Sequence, residues 1–280
     1  MKLARPMTDS NKAIYFASDF HFGIPDRRGS LIRERKFIQW LDEVKKDASA
    51  IYLMGDLFDF WYEFRTVVPK GYIRMLGKLG EMTDAGIEVH LFRGNHDLWA
   101  FRYLEDELGI LLHRAPMIVQ LGNKKFFLAH GDGLGPGDHS YKFLKMVFEC
   151  RFNQWLYRWI HPDIGTRLGA YFSRRSRLTK MLKGEGDIKR KVPVEKEPMI
   201  IFSREMAQKD PSIDYFIFGH VHFPDVVSIS PKAQAVILGD WVSKFTYARF
   251  DGETVEMKQY CPRSDNSIPD TARPGLPDYR

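Results

Sequence analysis

Three apolar runs, residues 13–17, 50–54 and 87–92, each end at a short polar cluster: Ser18-Asp19-Phe20-His21, Gly55-Asp56 and Arg93-Gly94-Asn95-His96-Asp97. A short apolar run bounded by Gly, Asp or Asn reads as a buried strand opening into a loop. Between the runs, residues 31–46 space Ile32, Phe37, Trp40, Leu41 and Val44 as a helix would, and residues 70–85 also read as helical. Strands alternating with helices predict an α/β fold, and in such sheets ligand sites lie beyond the carboxyl ends of the strands.

The second half changes style. Residues 117–121 and 125–129 flank Gly122-Asn123 and predict a hairpin whose second strand runs into His130-Gly131-Asp132. Residues 215–218 form another apolar run ahead of Gly219-His220-Val221-His222, and 235–238, 245–250 and 254–260 have strand character. Residues 262–280, rich in Pro, Asp and Ser, predict a disordered tail.

Hydrophobic content of 44% and charged content of 28% fit a globular chain with a sizeable core. The N-terminal residues lack the apolar core of a secretory leader, and no apolar run approaches the ~20 residues of a membrane span. Two cysteines, Cys150 and Cys261, supply neither a disulfide framework nor a thiolate metal site, which suits a reducing compartment. The net charge of +6 is concentrated: residues 137–198 carry 14 Lys/Arg against 7 Asp/Glu, or +7, so the remainder sums to −1.

Taken singly, each polar cluster is ordinary turn chemistry. Five at strand exits, Asp19-x-His21, Gly55-Asp56, Gly94-Asn95-His96-Asp97, His130-Gly131-Asp132 and Gly219-His220-x-His222, form a set. On an extended segment a D-x-H or H-x-H pair points both side chains one way, because the period is two. Carboxylates, imidazoles and one amide oxygen suit two borderline divalent ions better than Ca²⁺ or a Cys-rich structural zinc. Asn95 offers a neutral oxygen ligand, His96 can point past it, and Asp97 can hold that imidazole in one tautomer.

In this order the clusters resemble the signature of the calcineurin-like metallophosphoesterase family, over residues 13–260 apart from the basic segment. The resemblance implies a two-sheet β-sandwich flanked by helices, with a core of residues 13–136 and 199–261 and a helical cap of residues 137–198. It implies one metal held by Asp19, His21, Asp56 and His222, and a second held by Asp56, Asn95, His130 and His220, with Asp56 bridging. Two such cations acidify a shared water, which attacks phosphorus, and they neutralise phosphoryl charge; His96 is placed to serve the leaving oxygen, with Asp97 behind it.

The surroundings bear on the substrate. Leu57-Phe58-Asp59-Phe60-Trp61 reads either as a core-packing loop or as a cleft wall. Phe143, Val147, Phe148, Phe152, Trp155, Leu156, Trp159 and Ile160, interspersed with Lys142, Lys145, Arg151 and Arg158, form an amphipathic stripe that faces the core, lipid or a partner. Ser173-Arg174-Arg175-Ser176-Arg177 with Lys180 reads as a solvated charge run or a phosphate clamp. Residues 183–196, rich in Gly and Lys, read as a mobile loop.

The cap position and the Gly55–Trp61 loop resemble the UDP-2,3-diacylglucosamine diphosphatase branch. That branch releases UMP and a diacylglucosamine 1-phosphate in lipid A synthesis, usually with Mn²⁺, at the cytoplasmic face of the inner membrane. The resemblance implies acyl chains in the cap, peripheral lipid contact, and substrate contacts from Asp132, Tyr141, Ser176 and Lys180. The branch typically has Arg after the ligand Asn, where this chain has His96. A soluble metallophosphoesterase acting on nucleotides or phosphodiesters is the rival reading. A nuclease fits less well, because the basic residues alternate with bulky aliphatics rather than aromatics alone, and no nucleic-acid partner is expected.

Overall fold

The computed structural model describes residues 12–137, 139–180 and 193–261, without the side chains of 176–180. The tail expected to be disordered lies outside the described residues, as does 183–192 of the expected loop; Val194–Lys196 forms a 3₁₀ turn.

Strand β1 (Ala13–Ala17) is buried along its whole length because both faces are covered. Ile14 and Phe16 face the space between two sheets, and Tyr15 and Ala17 face helices. Strands β2 (Ala48–Leu53), β3 (Glu88–Phe92) and β4 (Leu111–His113) continue the sheet in parallel. Strands β10 (Thr246–Phe250) and β11 (Val255–Gln259) extend it antiparallel, giving the order β11-β10-β1-β2-β3-β4. The second sheet runs β5-β6-β7-β9-β8, from β5 (Met117–Leu121), β6 (Lys124–Ala129), β7 (Tyr215–Phe218), β8 (Asp225–Ser228) and β9 (Gln234–Ile237). The expected hairpin is β5–β6, and β6, β7 and β9 pair in parallel.

Helix α1 (Arg27–Val44) begins earlier than the apolar spacing predicts, because the Asp26 carboxylate caps it through the Gly29 amide at 2.8 Å. Its stripe Phe37, Trp40, Leu41 and Val44 packs on β1 and β2 together with helix α2 (Ile73–Asp84). Burying one such aromatic stabilises the fold by about 1.5–3 kcal/mol. The sheets meet through Phe16, Tyr52, Phe126, Leu128, Val236 and Phe250. Helix α7 (Pro198–Lys209) closes the far face of the second sheet through Met199 and Ile200, which completes a helix–sheet–sheet–helix sandwich.

A short helix α3 (Tyr103–Leu108), β4 and β8 have no counterpart in the sequence expectations. The basic segment forms helices α4 (His139–Glu149), α5 (Arg151–Arg158) and α6 (Pro162–Lys180). Its apolar stripe is not core: neither α4 nor α5 buries any residue, and Phe143 and Trp159 are 64% and 75% exposed. Among the described residues, no helix is long and apolar enough to cross a membrane.

Candidate metal centre

Parallel pairing of β1, β2 and β3 puts their carboxyl ends side by side, while β6 and β7 deliver His130 and the 219–222 loop from the other sheet. Asp19, His21, Asp56 and His220 all adopt left-handed backbone, with φ of 58°, 45°, 52° and 64°. The side chains therefore converge through kinked loops just past the strands, and not through the two-residue period of an extended segment. Non-glycine residues held there cost of order 1–3 kcal/mol each, and such strain concentrates at functional sites. At Gly94 a β-carbon would lie 2.1 Å from Asp56 Oδ1, so only glycine lets the two loops approach.

Donor atoms gather around two points. His21 Nε2 is 3.6 Å from Asp19 Oδ1, 3.2 Å from His222 Nε2 and 3.7 Å from Asp56 Oδ2; His222 Nε2 is 3.4 Å from Asp19 Oδ1. His130 Nε2 is 3.5 Å from the same Asp56 Oδ2 and 3.2 Å from Asn95 Oδ1, which is 3.0 Å from His220 Nδ1. Ligands about 2.1 Å from one cation sit about 3.0–3.4 Å from one another, so these spacings suit cations at both points. The polar bonding fits as well. Asp19 takes the His220 amide on Oδ2 at 2.9 Å, while Oδ1 is buried without a hydrogen-bond partner. Asp56 takes the His96 amide on Oδ1 at 2.9 Å and leaves Oδ2 shared between the two points. Nδ1 of His130 lies 2.8 Å from the Met54 carbonyl, which only accepts, so Nδ1 carries the proton and Nε2 presents its lone pair.

Burial pushes Asp19 and Asp56 upward, but contacts with the surrounding histidines outweigh it and hold both well below the usual carboxylate range. Burial, reinforced by the charge of His130, brings His220 down to about 4, so its ring is neutral at pH 7. Burial also lowers His130, yet the Asp56 and Asp19 charges raise it well above normal; a divalent cation at Nε2 would take the place of that proton.

Asp97 does not hold the His96 ring. Its Oδ1 accepts the Gly94 amide at 2.6 Å and its Oδ2 the Leu57 amide at 2.8 Å, tying the second and third strand-exit loops together. Burial and then the Asp56 charge push it up to about 7. His96 is held instead by Asp59 and Ser173: its Nδ1 lies 2.8 Å from the Asp59 carbonyl and 3.1 Å from Ser173 Oγ. His21, Asp59 and His96 are a further grouping of close donor atoms. Neither Asp59 nor Ser173 is singled out by the sequence for this role, because both partnerships are long-range.

Asp132 accepts from Tyr141 and, at 2.7 Å, from Lys145, both on α4. Although burial opposes it, the charges of His130 and Lys145 keep Asp132 below the usual range. Asp132, Gly133, Lys142, Lys145, Met146, Glu149 and Cys150 line an open groove of about 470 Å³. In the aromatic loop, Leu57, Phe58 and Trp61 are core, with Phe58 stacked on Trp61 at 4.1 Å; Phe60 packs against Trp99. Ser176 and Lys180 lie on α6, and their side chains are outside the described residues.

Residues 12–224 match the family described as calcineurin-like phosphoesterase. A UDP-2,3-diacylglucosamine hydrolase of Porphyromonas gingivalis (strain ATCC BAA-308 / W83) is 36% identical over 258 residues, covering 88% of this chain and 96% of the relative. A protein of the same name from Actinobacillus succinogenes is 24% identical over 254 residues, covering 89% and 96%. A dimetal phosphatase from Danio rerio superposes with a TM-score of 0.45 at 16% identity, covering 90% of this chain and 96% of that one. The chain belongs to the calcineurin-like phosphoesterase family of metal-dependent hydrolases.

Proposed function

We propose that the chain hydrolyses the diphosphate of UDP-2,3-diacylglucosamine to UMP and 2,3-diacylglucosamine 1-phosphate. Asp19, His21, Asp56 and His222 hold one divalent ion; Asp56, Asn95, His130 and His220 hold the other, with Mn²⁺ the expected metal. When bound, the pair supplies Lewis acidity, acidifying water and neutralising phosphoryl charge.

The chain's own groups do the rest. Met54 fixes the His130 tautomer, and the His220 and His96 amides orient the two carboxylates. Asp97 locks the loops that carry Asp56 and Asn95. His96, beside His21 with ring centroids 4.9 Å apart, serves the leaving oxygen by donating a proton or a hydrogen bond.

The observation that carries the substrate is the exposed apolar face of α4–α6 beside this centre, with Phe143, Phe152, Trp155, Trp159 and Phe172 set among Lys and Arg. A soluble nucleotide phosphodiesterase has no use for it, whereas acyl chains and an anionic lipid surface do. The name of the 36% identical relative supports the same choice. In this reading residues 137–198 act as a cap over the acyl chains. Asp132, Tyr141, Ser176 and Lys180 meet the sugar-nucleotide, and the chain works at the cytoplasmic face of the inner membrane.

The test is Mn²⁺-dependent release of UMP from UDP-2,3-diacylglucosamine in detergent, beside a simple phosphodiester. Fast UMP release with a poor diester is expected. Diester cleavage without UMP release would leave the metal chemistry and return the substrate to soluble phosphoesters.

A further inference from the structure

Among the described residues, helix α6 reaches His96 through the short side chain of Ser173. The Asp59 carbonyl oxygen can only accept, so the His96 Nδ1 that lies 2.8 Å from it carries the proton. Ser173 Oγ is 3.1 Å from that nitrogen and 2.9 Å from Asp59 Oδ2. A hydroxyl has one proton, and the carboxylate is the stronger acceptor. Ser173 therefore donates to Asp59 and turns a lone pair to the His96 Nδ1–H, which the Asp59 carbonyl and Ser173 share. With Nδ1 so engaged, Nε2 is the ring atom left for chemistry. The His96 main chain is fixed too, its amide donating to Asp56 Oδ1 at 2.9 Å.

The approach of α6 is built into its sequence. Gly165, Gly169 and Ser173 recur every four residues and so share one face of the helix. A β-carbon at Gly169 would lie 2.1 Å from the Phe60 ring, and one at Gly165 3.1 Å from the Phe64 ring. The helix thus rests directly on the loop that carries Asp59, close enough for serine to bridge.

We propose that Ser173, acting with Asp59, is a positioning residue that sets the tautomer and orientation of the His96 ring. Helix α6 thereby takes part in the reaction although none of its described side chains is among the metal donors. This rests on the reading of His96 as the group that serves the leaving oxygen.

The test compares wild type, Ser173→Ala, Ser173→Thr, His96→Ala and the Ser173→Ala/His96→Ala double variant, each loaded with Mn²⁺. Substrates are UDP-2,3-diacylglucosamine and bis(p-nitrophenyl) phosphate. Ser173→Ala is expected to lower kcat roughly tenfold or more, within the range seen when an outer hydrogen-bond partner is removed, with KM and metal content unchanged. Ser173→Thr restores most of the loss, and Ser173→Ala adds nothing once His96 is gone. In ¹⁵N-histidine NMR spectra of samples loaded with diamagnetic Zn²⁺ in place of Mn²⁺, the His96 ring shows a protonated Nδ1 in wild type and a mixture of tautomers in Ser173→Ala. An additive loss in the double variant, an unchanged kcat in Ser173→Ala, or wild-type turnover in His96→Ala overturns the proposal. A wrong substrate appears separately, as absent UMP release by the wild type, and the diester kinetics then still decide the role of Ser173.

Discussion

His130 donates its Nδ1 proton to the Met54 carbonyl at 2.8 Å, and its other nitrogen stands 3.5 Å from Asp56 Oδ2. A backbone acceptor at the end of β2 thus decides which imidazole nitrogen the centre receives. Replacing His130 by Gln removes that directed lone pair while keeping a polar side chain. Metal content, measured by plasma mass spectrometry, should fall from two ions toward one per chain. Turnover should fall by at least about a hundredfold, the upper end for losing only an outer partner. Chelation followed by Mn²⁺ should restore the wild type and leave His130→Gln poorly active; full metal content in the variant would remove His130 from the ligand set.

Asp97 is a structural tie, so its loss should register first in stability. Asp97→Ala leaves the buried Leu57 and Gly94 amides without an acceptor, and a buried donor left without its partner costs about 1–3 kcal/mol. Denaturant unfolding should show a loss of about 3 kcal/mol or more, with Asp97→Asn losing less because it keeps one acceptor. Unchanged stability with lost turnover would restore the imidazole-holding role expected from the sequence.

These two sites show what the sequence made legible. β1, β2 and β3 were readable because covered faces demand continuous apolar runs, and the five clusters because glycine, aspartate and histidine stand directly after them. β8 was not readable: it buries only Val227 of its four residues, too little to make a pattern. The neighbour of His96 in sequence, Asp97, suggested a partnership that the turn does not permit, since Asp97 points into the loop amides. The partner that does hold the ring, Ser173, is 77 positions away, and no local pattern announces a contact of that range.

His90 supplies a pH prediction away from the centre. Its ring stacks on Tyr52 at 4.1 Å, its Nδ1 meets His113 Nε2 at 2.9 Å, and Glu88 lies 3.5 Å from its Nε2. Burial, with His113 beside it, brings it down to about 3. The folded pKa lies below the unfolded value near 6.5, so the unfolded chain binds the extra proton and stability falls as pH drops from about 6.5 toward 3. Between pH 7 and pH 5 the loss from this residue should be roughly 1–2 kcal/mol. Urea unfolding at both pH values should show a smaller difference in His90→Gln. An equal difference would mean that other groups carry the acid sensitivity.

Trp155 on α5 and Trp159, which caps its C-terminal end, stack edge to face at 6.0 Å while remaining 50% and 75% exposed. Side chains so exposed add little to the folded state, and substitutions at such positions usually change stability by less than about 0.5 kcal/mol. The double substitution Trp155→Ser/Trp159→Ser should therefore leave the unfolding midpoint and hydrolysis of a small phosphodiester unchanged. It should weaken co-sedimentation with anionic phospholipid vesicles and raise KM for the diacylated substrate, because tryptophans beside basic residues are suited to the interface between headgroups and acyl chains. A drop in stability would instead place the tryptophans in a packed contact between helices. Unchanged vesicle binding and unchanged KM would leave this apolar face without a lipid role.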